Sequence, residues 1–172
     1  MLKIYDEKND IYICGFAKAG SQVLQRVFNE CLGYPIVPPT HIASPVSLHW
    51  VLIRDPRSRV LSVFYEKQLS WHNVKNNNIA TWGNPCSYER FISDVFPKML
   101  SNHHLAPYTS TPASEINFNR VYEIKDTVRL VRDYCSKFGV DPALPVEVAS
   151  TKIFHKVPYV TNKKADGLSC HP

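Results

Sequence analysis

No apolar run in this 172-residue sequence approaches the roughly 20 residues that cross a bilayer as a helix. The opening stretch, Met1-Leu-Lys-Ile-Tyr-Asp-Glu-Lys-Asn-Asp10, contains no hydrophobic leader segment, so no secretory signal is expected. There is no internal repeat and no low-complexity block. Cysteine is scarce and lacks pairing patterns: Cys14, Cys31, Cys86, Cys135 and Cys170 are odd in number, far apart and without a CxxC. That argues against a disulfide framework and a cysteine metal site, and leads to the expectation of reduced thiols in a cytoplasmic protein. Excess charge is small too. The net +5 is spread along the chain, which suits an anionic ligand better than a surface that coats nucleic acid. What is present is an ordinary globular composition, 44% hydrophobic and 20% charged, long enough for one domain over 1–172 with a sizeable core.

One stretch organises that domain. Ile11 to Phe16 is a short β-like apolar run. A loop bracketed by Gly15 and Gly20 follows, with Lys18 between them. From Ser21 the apolar residues Val23, Leu24, Val27, Phe28 and Cys31 recur at helical spacing. Strand, glycine-bracketed loop and helix together make an anion site. The first amides of a helix lack intrahelical partners, and the helix dipole favours negative charge there. Read blandly, the same residues form a plain βα turn with Lys18 solvated and Ser21 capping the helix. A nucleoside-triphosphate loop requires Lys and then Ser or Thr directly after its second glycine. Here those places hold Ser21 and Gln22, so the usual magnesium ligand is missing and the lysine lies inside the loop.

A second unit of the same kind follows a proline-rich connection, 34–45, in which His41 lies. Leu48 to Ile53 is β-like and ends in Arg54-Asp-Pro-Arg-Ser-Arg59, after which Val60, Leu61, Val63 and Phe64 continue a helical face. Arg54 thus stands at the carboxyl end of a strand, where open α/β sheets bind ligands. Ser62 is well inside the helix, with Glu66 about a turn beyond it. Segment 70–85 reads as a loop or lid, and a helix is expected from about Ser87. A third strand is expected over 119–124 and a helix over 126–138, stopped by Gly139. From about 141 onward an irregular, basic tail is expected. The implied fold is α/β, with a short, mainly parallel sheet flanked by helices in three layers.

Two basic strand–turn–helix mouths fit a ligand with phosphate-like groups at both ends, and here a family resemblance appears. Phe16-Ala-Lys-Ala-Gly-Ser21 resembles the 5′-phosphosulfate loop of sulfotransferases that use 3′-phosphoadenosine 5′-phosphosulfate (PAPS), in which Pro-Lys-small-Gly and two hydroxyl residues are usual. Val51 to Lys67 is similar over its whole length to their 3′-phosphate element. Ser101 to Tyr108 more distantly resembles the Asp-x-His-Trp-x-Pro-Gln loop of the carbohydrate branch, with His104 and Pro107 in register. The matches span about residues 10–140. Ala17 replaces the loop proline, Gln22 the second hydroxyl, and Asn102 and Tyr108 the Asp and Gln of the carbohydrate branch.

The resemblance implies a P-loop-like sulfotransferase fold, a PAPS/PAP cosubstrate and no metal. It implies binding of the 5′ group by Ala17, Lys18, Ala19, Gly20, Ser21 and Gln22, and of the 3′-phosphate by Arg54 and Ser62. Lys18 would act on the leaving oxygen. His104 or Glu66 would serve as base, with His103, His41 and His72 as further candidates. The acceptor would be a small molecule or carbohydrate. A P-loop kinase or NTPase and a non-catalytic nucleotide- or nucleic-acid-binding module are the rival readings.

Overall fold

A computed structural model describes residues 1–69, 86–102, 104–108 and 116–151. Contacts divide the chain into two compact units, one drawn from Met1–Asp55 with Pro107–Ile153, the other from Pro56–Ala106 with Phe154–Pro172.

The first unit is built on a four-stranded sheet. Its strands are β1 (Leu2–Asp6), β2 (Ile11–Gly15), β3 (Leu48–Ile53) and β4 (Arg120–Glu123), in that spatial order. β1 is antiparallel to β2, with Leu2 opposite Gly15, whereas β2, β3 and β4 run parallel. The expected α/β class with a mainly parallel sheet is present. β1 was not anticipated, because two of its charged residues, Lys3 and Asp6, are buried and disguise the apolar pattern. Inside the fold, Asp6 accepts hydrogen bonds from the Tyr134 hydroxyl and the Asn9 amide.

Helix α1 (Ser21–Leu24) continues without a break as a π-helical segment, Gln25–Cys31, and Gly33 follows it at φ 76°. Helix α4 (Thr127–Phe138) ends at Gly139 in the left-handed conformation, as its sequence demanded. Both bury their apolar stripes on one sheet face, where Leu24, Val27, Phe28, Leu130, Val131 and Tyr134 meet Ile11, Ile13, Trp50 and Leu52. A correction falls at 143–150. The expected irregular tail is there the helix α5 (Ala143–Ser150), with Val146, Val148 and Ala149 against the same core. Pro145 stands in its first turn, where a missing N–H breaks no intrahelical bond. The tail beyond 151 lies outside the described residues.

On the opposite sheet face Tyr12, Cys14, Phe16, Ala19 and Val51 form a smaller cluster.

The second unit pairs α2 (Pro56–Phe64), continued as π-helical Tyr65–Leu69, with α3 (Tyr88–Arg90), which runs on through Phe91–Val95 and Phe96–Met99. Ser87 caps α3 by accepting from the Arg90 amide, as expected of a serine at that place. Val63, Phe64, Cys86, Phe91 and Leu105 are its core. Arg59 is buried there, donating to the Ala106 carbonyl at 2.8 Å. The stretch read as a lid, 70–85, lies outside the described residues. Among the described residues no helix is long and apolar enough to cross a membrane.

Candidate functional site

β2 delivers the chain at Gly15 into a tight loop. The Ala19 amide bonds back to the Phe16 carbonyl at 3.0 Å, and Lys18, at φ 64°, takes the left-handed conformation that a side chain normally avoids. Gly20 follows at φ 82° and is the N-cap of α1. The bland expectation of a Ser21 cap is therefore displaced by one residue, and no side chain caps this helix. The positive φ at Gly20 favours glycine, and a β-carbon there would also come within 2.7 Å of Leu52 Cδ2, which would have to shift. The first α-helical bond runs from the Leu24 amide to the Gly20 carbonyl at 3.1 Å. The amides of 21–23 precede it at the mouth of the loop. No acidic residue lies between Gly15 and Gln22. Ala19 is buried, Ala17, Lys18, Gly20 and Ser21 are half-buried, and Gln22 is exposed.

Arg54 leaves the carboxyl end of β3, the parallel neighbour of β2. Its Nη1 donates to the Lys18 carbonyl at 3.3 Å. Two cationic residues separated by 36 positions thus share one mouth at the carboxyl edge of the sheet. Tyr108 spans the junction. Its hydroxyl accepts from the Arg54 amide at 3.2 Å and donates to the Arg54 carbonyl at 2.9 Å, while its ring lies 4.4 Å from that of Phe16. Sequence reasoning registered Tyr108 only as a departure from a family pattern. An aromatic residue 54 positions from its partner gives no local signal of such a role.

The remaining expected site residues belong to the second unit. Ser62 is half-buried in α2. Glu66 is half-buried in the π-helical continuation and pairs with Lys67 at 3.1 Å, and burial pulls the Lys67 pKa down. His104 sits in the turn after α3, its amide bonded to Asn102 Oδ1 at 3.0 Å and its Nδ1 screened from solvent. His103 and His72 lie outside the described residues.

His41 belongs to the first unit and is engaged elsewhere. The Tyr12 hydroxyl accepts from the Ala43 amide at 2.6 Å and shares a hydrogen bond with His41 Nδ1 at 2.9 Å. Among the described residues no group of three or more metal-ligating side chains occurs.

Fold and site together define an α/β protein with a basic, glycine-capped loop at the carboxyl edge of the parallel strands of a mixed sheet. Compared with family models, with curated proteins and with solved structures, the chain matches none.

Proposed function

We propose that the chain is a sulfotransferase that takes its sulfuryl group from PAPS. The observation that carries this reading is the convergence of Lys18 and Arg54 at one mouth, with the first amides of α1 beside them. Every charged group that the loop contributes is positive. The position after Gly20 lacks the Lys-Ser/Thr pair of a magnesium-dependent triphosphate site. In sulfuryl transfer an acceptor oxygen bonds to sulfur as the bond from sulfur to the 5′-phosphate oxygen breaks. PAP departs with the electron pair and the acceptor proton passes to a base. Negative charge grows on the bridging oxygen, and a fixed ammonium and helix amides stabilise it without reorganising. Lys18 supplies the ammonium, the backbone around Gly20 and Ser21 holds the 5′-phosphate, and Arg54 pairs with the 3′-phosphate.

Ser62, Glu66 and His104 belong to the second unit, and substitution tests their roles. The base is assigned to His104 if the acidic limb of the pH–rate profile disappears in His104→Ala.

The primary experiment is calorimetry with PAP and ADP, without metal. PAP is expected to bind about a hundredfold more tightly, the equivalent of about 3 kcal/mol from charge-assisted contacts to the extra phosphate. Arg54→Ala removes most of that preference. Equal affinities for PAP and ADP, or turnover of ATP that requires magnesium, would overturn the reading.

A further inference from the structure

The first unit also contains a cavity of about 540 Å³ whose lining includes no residue of the phosphate loop. It lies on the Tyr12 face of the sheet, walled by Ile42 and Val46 from the segment that leads into β3, and by Asn117. His49 and Asn119, at the amino ends of β3 and β4, complete that side. Gly15 and Arg54 leave the carboxyl ends of β2 and β3, so the two sites occupy opposite edges of one sheet.

Lys3 is the unusual member of this lining. It is 1% exposed, and lysine is almost never so buried without an ionic partner. Its Nζ donates to the His41 carbonyl at 2.5 Å and, more weakly, to the Pro39 carbonyl at 3.4 Å, and lies 4.1 Å from the centre of the Tyr12 ring. All of these partners are neutral. Among the described residues no carboxylate pairs with it. Asp10 Oδ1 is taken by the hydroxyls of Tyr5 at 3.0 Å and Ser47 at 2.6 Å. Burial accordingly pulls the Lys3 pKa below its ordinary value.

His49 contributes the opposite polarity. Its Nδ1 lies 3.0 Å from the Ser47 carbonyl, which can only accept, so Nδ1 carries the proton and Nε2 keeps its lone pair. The ring stacks on Tyr12 at 4.7 Å, and burial lowers its pKa, which holds it neutral. Among the described residues the cavity therefore combines a cation without a counter-anion, one imidazole acceptor and an aliphatic wall.

We propose that this cavity binds a small hydroxylated organic carboxylate, with the carboxylate on Lys3, a hydroxyl donating to His49 Nε2 and the carbon skeleton against Ile42 and Val46. A monoanion is favoured over inorganic phosphate because, among the described lining residues, Lys3 is the single cation and no arginine accompanies it. The site is independent of the sulfuryl-transfer reading.

The test is a titration of the full chain with D-gluconate, followed at the His49 ring signal by NMR and assigned with His49→Gln. Ionic strength is held constant with sodium chloride. Sorbitol, which has the same hydroxylated skeleton without the charge, and inorganic phosphate are the comparison probes. Gluconate is expected to shift the signal saturably, in the millimolar range, with sorbitol and phosphate shifting it at least about tenfold less. Lys3→Met should weaken gluconate binding about tenfold or more, as loss of a charge-assisted contact requires. If that variant does not fold, Ile42→Trp, at a wall residue that is 75% exposed, should block the cavity and abolish the shift. No saturable shift with gluconate, an equal shift with sorbitol, an equal or stronger one with phosphate, or binding undiminished in the variants would overturn the proposal.

Discussion

Lys18 carries both the charge of the loop between β2 and α1 and its strain. A lysine at φ 64° sits in a conformation that costs an L-residue on the order of 1–2 kcal/mol, whereas glycine adopts it freely. Such strain persists where the side chain is needed. Lys18→Gly should therefore stabilise the fold by about 1 kcal/mol, after the extra chain entropy of glycine is subtracted. On the proposed sulfuryl-transfer reading, in which the ammonium acts on charge that develops during the reaction, the same change should lower turnover by several orders of magnitude with only a modest loss of PAP affinity. Denaturant unfolding and steady-state kinetics on one preparation check both halves. Unchanged turnover would return Lys18 to the role of a solvated loop charge. The presence of a basic residue in this loop is plain from the sequence. Its left-handed backbone is not, because nothing local in Ala17-Lys18-Ala19 asks for it.

At the scale of elements, β2, β3, α1 and α4 could be read from periodicity and stop signals because their buried residues are apolar and their ends carry glycine or proline. β1 and α5 could not. In β1 the buried Lys3 and Asp6 are tolerated only because carbonyls and a tyrosine hydroxyl from distant segments meet them. In α5 two valines and a proline weaken the helical signal, and packing on the core supplies what propensity does not. Tyr108 works at this same scale, tying the end of β3 to the loop after β2. Tyr108→Phe keeps the ring on Phe16 and deletes both hydroxyl bonds to Arg54. It should cost about 1–2 kcal/mol of stability and reduce the preference for PAP over ADP several-fold. Calorimetry in which the variant retains the full preference would show that Arg54 is placed without this clamp.

Across the whole molecule, burial sets the response to alkali. Cys14 is fully buried, and loss of solvent pushes its thiol from 9.0 to about 12. The raised pKa means that the unfolded chain loses this proton first. Stability is therefore complete below about pH 9 and falls as pH rises from 9 towards 12, by up to a few kcal/mol. Tyr5, raised to about 12, and Tyr12, raised chiefly by burial, add to the fall above pH 10. Lys3 acts in the opposite sense below its ordinary 10.5, because its folded-state pKa is lowered and the unfolded chain holds more protons there. Thermal unfolding of Cys14→Ala across pH 8–12 should give a shallower alkaline decline than the parent, whatever the difference in absolute stability. Parallel slopes would contradict the burial argument.

The sequence by itself determined the α/β class, the strand–loop–helix order and the positive character of the two mouths, since these follow from apolar spacing, glycine placement and charge along short stretches. Only the tertiary structure decided which distant residues meet. Arg54 reaches the Lys18 carbonyl because β2 and β3 are parallel neighbours, and Lys3, His41 and Tyr12 form one cluster because β1 folds back against β2. Strand pairing is a long-range choice, made by burial of a whole sheet face rather than by any local signal. For that reason the glycine-bracketed basic loop between β2 and α1 could be read along the chain, whereas the clamp on Arg54 and the cavity beneath Lys3 could not.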